Sequence, residues 1–171
     1  MLRLILLLLA LSPLAAYADA LCKKSTGAVY HRTSCGKKEI NIAPSDIMAK
    51  TQTGIVNVVN VPSIAGQKFY QPQSYAFPLK DSIDKDHAIV VLPNQTDPNC
   101  PGSYDKPSAN PGYLCVYIYS HTNNVTTLVA WDMVANAVGS SKQGFTLAMV
   151  SHDESVGEYV YAYGSWAVTQ P

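Results

Sequence analysis

The residues of this chain that could do chemistry or recognition are two runs of alternating tyrosine, four cysteines and four histidines. In Tyr113–Tyr119, Tyr113, Cys115, Tyr117 and Tyr119 point one way along an extended chain, while Leu114, Val116 and Ile118 point the other. Near the end, Tyr159, Tyr161 and Tyr163 share one face. Val160, Ala162, Trp166 and Val168 share the opposite one, a pattern that a bulge at Gly164 would interrupt. Each run thus has an apolar face for a core and a tyrosine face. Side by side, the two would form one aromatic patch. Tyrosine combines an apolar ring with a hydroxyl, which suits subunit interfaces and sugar or peptide contacts. It equally suits plain cross-strand packing or the inner wall of a second sheet.

Catalytic patterns are missing. His31, His87, His121 and His152 include two with acidic neighbours, Asp86-His87 and His152-Asp153-Glu154. There is no Gly-x-Ser-x-Gly elbow to organise a nucleophile. The chain also lacks a His-Glu-x-x-His helix, a phosphate-cradling glycine loop and a dinucleotide fingerprint. Asp81, Asp84 and Asp86 lack the spacing and terminal glutamate of a calcium loop, so they read as a solvated loop. No catalytic residue, metal or cofactor is therefore expected. Asn94-Gln95-Thr96 and Asn124-Val125-Thr126 match glycosylation sequons, which matter only in a host that uses them.

Cys22, Cys35, Cys100 and Cys115 allow three pairings. Proximity favours Cys22–Cys35 and Cys100–Cys115, each closing a loop of about 15 residues and contributing up to ~3 kcal/mol by the chain-entropy argument. A zinc site would draw on Cys-x-x-Cys pairs, which are absent. A nucleophilic thiol would have to survive unoxidised outside the cytoplasm.

The elements that must position these groups follow from composition and pattern. The chain has 171 residues, is 47% hydrophobic and 14% charged, and balances 12 Lys+Arg against 12 Asp+Glu. That length suits one compact domain with a small appendage. Zero net charge argues against nucleic acid as a partner, and the apolar content argues against disorder. Residues 1–20 read as a signal peptide, with Arg3, the apolar run Leu4–Leu11 and Ala18-Asp19-Ala20 before a cut at Leu21; Ala16-Tyr17-Ala18 permits a cut two residues earlier. The run is far short of the roughly 20 residues that span a bilayer, and no later segment is long enough. Leu21 is too large for the residue preceding a lipidated Cys22. A secreted, periplasmic or cell-surface protein is expected.

Residues 21–42 read as a stapled hairpin, with strands at Ala28–Arg32 and Ile40–Ile42. It is basic: Lys23, Lys24, Arg32, Lys37 and Lys38 oppose only Glu39. Lysines on a solvated edge discourage aggregation; adhesion to an acidic cell-envelope polymer is the alternative. Residues 43–53 form a linker or short helix capped by Ser45. Residues 54–171 read as strands at Ile55–Val61, Ser74–Leu79, His87–Leu92, Tyr113–His121, Thr126–Val134, Gly144–Ser151 and Glu158–Thr169, separated by Gly, Pro, Asn and Asp. Such a series predicts an all-β fold, a β-sandwich or jelly roll. The loop from Asn99 to Gly112 is dense in proline and glycine, and a Cys100–Cys115 bridge would tie it to the next strand.

Cys100-Pro101-Gly102, Pro111-Gly112-Tyr113-Leu114-Cys115-Val116-Tyr117, Gly144-Phe145 and the ending Gly164–Pro171 together resemble a C-terminal module of uncharacterised exported bacterial proteins. Cys22–Gly27, Cys35 and Lys37-Lys38-Glu39 are similar to a cysteine-bracketed hairpin of other bacterial surface proteins. The resemblance covers the hairpin and about the last 70 residues, and it carries no functional residue over. Some relatives place the module after a collagen-like stalk, implying a trimeric jelly-roll head; this chain has no Gly-x-y stalk. The expected function is a non-catalytic surface module that self-associates or adheres to a cell-envelope glycan or protein. A second expectation is a carbohydrate-binding or carbohydrate-acting sandwich, with Trp131 or Trp166 stacking on sugars and Asp132 or Glu158 as a carboxylate. A third is a secreted inhibitor that uses the Cys100–Cys115 loop as a wedge.

Overall fold

A computed structural model describes residues 20–26, 28–32, 34–42, 51–122, 125–152 and 156–171. The expected signal segment and the short helix near Ser45 lie outside these, apart from Ala20 and Thr51–Thr53, which are all in strands. The described residues contain only strands and connections, as the turn-punctuated sequence predicts. The chain divides into two compact units, with the break between Met48 and Ala49.

The first unit is a three-stranded antiparallel sheet instead of a simple hairpin. Strands β1 (Ala20–Lys24), β2 (Val29–Arg32) and β3 (Glu39–Ile42) take the order β2-β1-β3. Cys22 is fully buried and bridges to Cys35. A core this small cannot by itself offset the entropy of ordering its chain, which is where a crosslink contributes most.

The second unit contains β4 (Thr51–Asn60), β5 (Lys68–Ser74), β6 (Ala88–Val91), β7 (Leu114–His121), β8 (Val125–Asp132), β9 (Ala137–Val138), β10 (Gly144–Ser151) and β11 (Val160–Thr169). They form two four-stranded sheets, β4-β11-β7-β6 and β5-β10-β8-β9. Every other residue of each long strand points inward. Val56, Val116, Trp166 and Val168 from one sheet meet Ala130, Phe145, Leu147 and Met149 from the other in one buried cluster. At about 25 cal/mol per Å² of apolar surface, this cluster is the main favourable term. The first strand pairs with the last, β4 with β11, and β5 pairs with β10. The chain crosses between the sheets four times, from β4 to β5, β5 to β6, β7 to β8 and β10 to β11, the winding of a sandwich of the jelly-roll kind.

Two local expectations are corrected. Ser74–Leu79 is not a strand; the strand is the polar Lys68–Ser74. Pro72 lacks a ladder donor, which an edge strand such as β5 tolerates. Beyond it, Tyr75 N, Phe77 N and Leu79 N donate to Gln143 O, Gln52 Oε1 and Lys142 O. Those partners come from different segments, so no ladder forms. The Thr126–Val134 segment ends as a strand at Asp132, whose Oδ1 accepts from Val134 N at 2.8 Å and Ala135 N at 3.1 Å. This turn leads into β9, which the sequence pattern did not reveal.

Candidate functional site

The two tyrosine runs are neighbours. Strand β11 pairs antiparallel with β7, setting Ser165 opposite Tyr117 and Tyr163 opposite Ser120. The register shifts between Tyr163 and Gly164, so a bulge does stand at Gly164, but with Tyr119 as the extra residue on β7. Because the extra residue is on β7, the inward-outward alternation of β11 is preserved: Val160, Ala162, Trp166 and Val168 all reach the core. Gly164 is what allows this close approach. A Cβ there would lie 1.8 Å from the Tyr117 carbonyl oxygen and 3.0 Å from Ile118 Cα.

The bulge divides the tyrosine face. On one side, Tyr113, Cys115 and Tyr117 are packed with Cys100, Ala109 and Ala167 in a second, smaller apolar cluster. Its cover is the connection between β6 and β7. These strands are parallel, so the chain must travel back along their whole length before pairing, and the return path folds over the outside of the sheet. The Cys100–Cys115 disulfide fixes it. Tyr117 Oη accepts from Gly102 N at 2.9 Å and donates to Ser108 O at 2.5 Å. Ser165 Oγ donates to Tyr104 O at 2.7 Å, and Thr169 Oγ1 to Ala109 O at 2.8 Å. Burial pushes the Tyr117 hydroxyl pKa above its ordinary value, although the two backbone hydrogen bonds act the other way. Tyr113 is half-buried, with its ring 4.7 Å from the His87 ring.

On the other side the face is open. Tyr104, carried by the covering loop, lies 4.4 Å from Tyr119, centroid to centroid; Tyr119 lies 5.6 Å from Tyr163, and Tyr163 lies 5.7 Å from Tyr161. Tyr119 is 50% exposed and Tyr163 39%. Val59 pairs with Tyr161 and Asn57 with Tyr163, so β4 extends the row, and Ile55 (79% exposed) and Val59 face outward beside the rings. Tyr159 precedes β11 and is exposed. No charged residue stands in the rows of β4, β11 and β7 that bear these rings. The sequence pattern pointed to Tyr119, Tyr161 and Tyr163. It missed Tyr104, Ile55 and Val59; the alternation of Ile55, Asn57 and Val59 with buried Val56 and Val58 was a signal for the last two.

The remaining candidates separate. Trp166 is buried against Tyr75 and Phe145, and its Nε1 donates to Gln73 Oε1 at 3.3 Å. Trp131 is half-buried on the outer face of the other sheet. Asp132 is buried as the turn acceptor described above, and Glu158 lies in the exposed turn before β11. His87 Nδ1 donates to Asp84 Oδ1 at 2.7 Å, and His121 Nδ1 lies 2.9 Å from Thr122 O. Buried Tyr75 bonds to Ser140 Oγ at 2.6 Å, and burial raises its pKa. The Cys100–Cys115 loop lies against its own sheet, unlike a protruding inhibitory wedge.

In the first unit, Lys23 and Lys24 lie on β1, the central strand, so edge protection does not account for them. Lys24 sits over the Tyr30 ring at 4.8 Å. Arg32 bridges Glu39 at 3.3 Å, while Glu39 also accepts from Gly36 N. Lys24, Lys37 and Lys38 line a shallow cleft with Glu39.

Among the described residues, no cluster of His, Cys, Asp and Glu could hold a metal ion, and no helix is long and apolar enough to cross a membrane. Two disulfides and no free cysteine fit an oxidising, extracellular or periplasmic environment. No known family matches this chain, and neither a curated protein nor a solved structure shows a significant likeness to it.

Proposed function

We propose that this chain is a non-catalytic extracellular module that associates with copies of itself through the open half of its tyrosine face. Residues 1–20 act as the export signal that delivers it. One observation carries the reading: the continuous series Tyr104–Tyr119–Tyr163–Tyr161, flanked by Ile55 and Val59, on a sheet face free of charge. Contiguous exposed apolar surface is uncommon on proteins that remain alone. Tyrosine is enriched in interfaces because it buries a large ring at small rotamer cost and keeps a hydroxyl for water or a partner.

Sedimentation and light scattering across micromolar concentrations test this. Concentration-dependent association that disappears in Tyr119→Ser/Tyr163→Ser supports it. A strict monomer at every concentration overturns it.

A second reading, adhesion to an acidic envelope polymer, is favoured by the cleft that Lys24, Lys37 and Lys38 line in the first unit. Retention on a polyanion column that falls with salt and is lost in Lys37→Gln/Lys38→Gln would support it. Retention unchanged by those substitutions would remove it.

A further inference from the structure

The outer face of the sheet β5-β10-β8-β9 has a different character from the tyrosine face. Its rows run Lys68–Val150–Thr127, Tyr70–Ala148–Val129 and Pro72–Thr146–Trp131 across three strands. Ala148 and Thr146 leave the middle strand, β10, low between Tyr70 on one side and Trp131 on the other. The result is a cleft of ≈ 290 Å³ with Tyr70 and Trp131 among its walls and Ala148 in its lining. Trp131 also lines a second, larger cleft of ≈ 640 Å³ at the β9 edge, together with Ser82, Asp84, Lys85, Asp132 and Ala137. Small-ligand sites run from roughly 300 to 1,000 Å³, so the smaller cleft matches the lower bound and the larger falls within the range.

The polar groups are held ready. Asp84 Oδ1 accepts from Asp86 N, His87 N and His87 Nδ1. Asp132 Oδ1 accepts from Val134 N and Ala135 N. The other oxygen of each carboxylate accepts nothing from the described residues, and neither does the Trp131 indole N–H find an acceptor among them. By contrast, the Trp166 indole N–H is committed to Gln73. Fixing one carboxylate oxygen orients the second at no further entropic cost on binding.

We propose that Trp131 is the platform of a saccharide site, taking a neutral pyranose ring of an oligosaccharide. The C–H face of such a ring packs on the indole in the larger cleft, and Tyr70 lines the smaller cleft on the other side of the same indole. Its ring of hydroxyls offers donors to the free oxygens of Asp84 and Asp132 and an acceptor to the Trp131 N–H, while Lys85 is already paired with Asp86 at 2.6 Å. An aliphatic or lipid occupant would leave those carboxylates desolvated and unpaired, at a cost exceeding the stacking gain. An anionic occupant would meet two carboxylates. This site lies on the other sheet and stands independently of the self-association reading.

The probes are cellotriose and chitotriose, titrated into the whole mature protein with tryptophan emission and calorimetry as readouts. Saturable binding is expected, accompanied by protection of the accessible tryptophan from iodide quenching. Trp131→Ala should weaken binding about ten-fold or more, Trp131→Phe should retain part of it, and Tyr119→Ser should leave it unchanged. The quenching protection uses the unsubstituted protein, so it decides the matter even if Trp131→Ala fails to fold. Heat-free titrations with no protection at millimolar saccharide overturn the proposal. So does unchanged affinity in folded Trp131→Ala, or binding of a hydrophobic dye at Trp131 with no competition from either sugar.

Discussion

Tyr117 and Tyr119 stand two residues apart on the same strand and face the same side of the same sheet. Tyr117 is 3% exposed and Tyr119 50%. The hydroxyl of Tyr117 is saturated by two backbone groups of the covering loop, whereas Tyr119 meets only other rings. What separates them is a loop stapled at Cys115, whose backbone caps the Tyr117 hydroxyl but which meets Tyr119 through the Tyr104 ring, and the bulge between them. One amino-acid type on one strand face thus does two jobs. Tyr117 holds backbone polar groups that would otherwise be buried unpaired, and Tyr119 stays half exposed among other rings. A tyrosine's type and parity do not reveal which job it has; the cover does.

The largest perturbation of this division is Gly164→Ala. The new methyl would collide with the Tyr117 carbonyl, and backbone cannot yield as a side-chain tip can. A loss of about 3–5 kcal/mol, or failure to fold, is expected in denaturant unfolding. If Gly164→Ala unfolds at the parent midpoint, the bulge does not hold the two halves apart.

Removing the staple with Cys100→Ser/Cys115→Ser should lower stability by about 3 kcal/mol. It should also expose Tyr113 and Tyr117 to solvent, read as faster amide exchange across 100–112 and increased reactivity of tyrosine toward nitration. Unchanged exchange would mean that the loop's hydrogen bonds alone keep it in place.

Tyr117→Phe keeps the ring and deletes the hydroxyl, leaving Gly102 N and Ser108 O without their partner; a cost of about 1–3 kcal/mol is expected. The same change has a pH signature. Burial holds the folded-state pKa of Tyr117 above its ordinary 10.0. Above pH 10 the unfolded chain therefore releases the proton first, the folded state binds more protons, and stability falls as pH rises. Buried Tyr75 acts in the same direction. Tyr117→Phe should flatten the fall, and Tyr75→Phe should flatten it further. A slope untouched by either would show that other groups cause the alkaline loss.

The smallest effect on stability belongs to Tyr119→Ser, within about 0.5 kcal/mol, as befits an exposed site. Its effect should appear instead in association, which the substitution weakens. A Tyr119→Ser protein as destabilised as Tyr117→Phe would erase the distinction between the two halves.

The strands most readily read from sequence were those that alternate strictly. β7 and β11 each bury one apolar parity against the opposite sheet, and a period of two is visible in the residues themselves. The polar strand β5 was not readable. Its Lys68-Phe69-Tyr70-Gln71-Pro72 run looks like a turn, and it is held by pairing with β10, some 75 residues later in the chain. Of the two tryptophans, alternation placed Trp166 with Val160, Ala162 and Val168 on the apolar face of its strand, whereas the pattern did not place Trp131. Trp166 enters the core because Gly54, across the ladder on β4, leaves room: a Cβ there would lie 2.6 Å from the indole. Trp131 faces outward beside the small residues of β10.

Composition and alternation determined, with no structure, that this chain is all-β and that tyrosines line one side of two strands; cysteine spacing favoured nearest-neighbour pairing, which the two disulfides bear out. These are local properties, fixed by side-chain parity and by short loops that close at small entropic cost. Tertiary structure alone decided that those strands are adjacent, which tyrosines are covered and that Trp131 faces outward. Each of these depends on contacts between segments far apart in the chain, above all the parallel β6–β7 pairing, whose long return path lays the loop across one half of the tyrosine face and leaves the other half open.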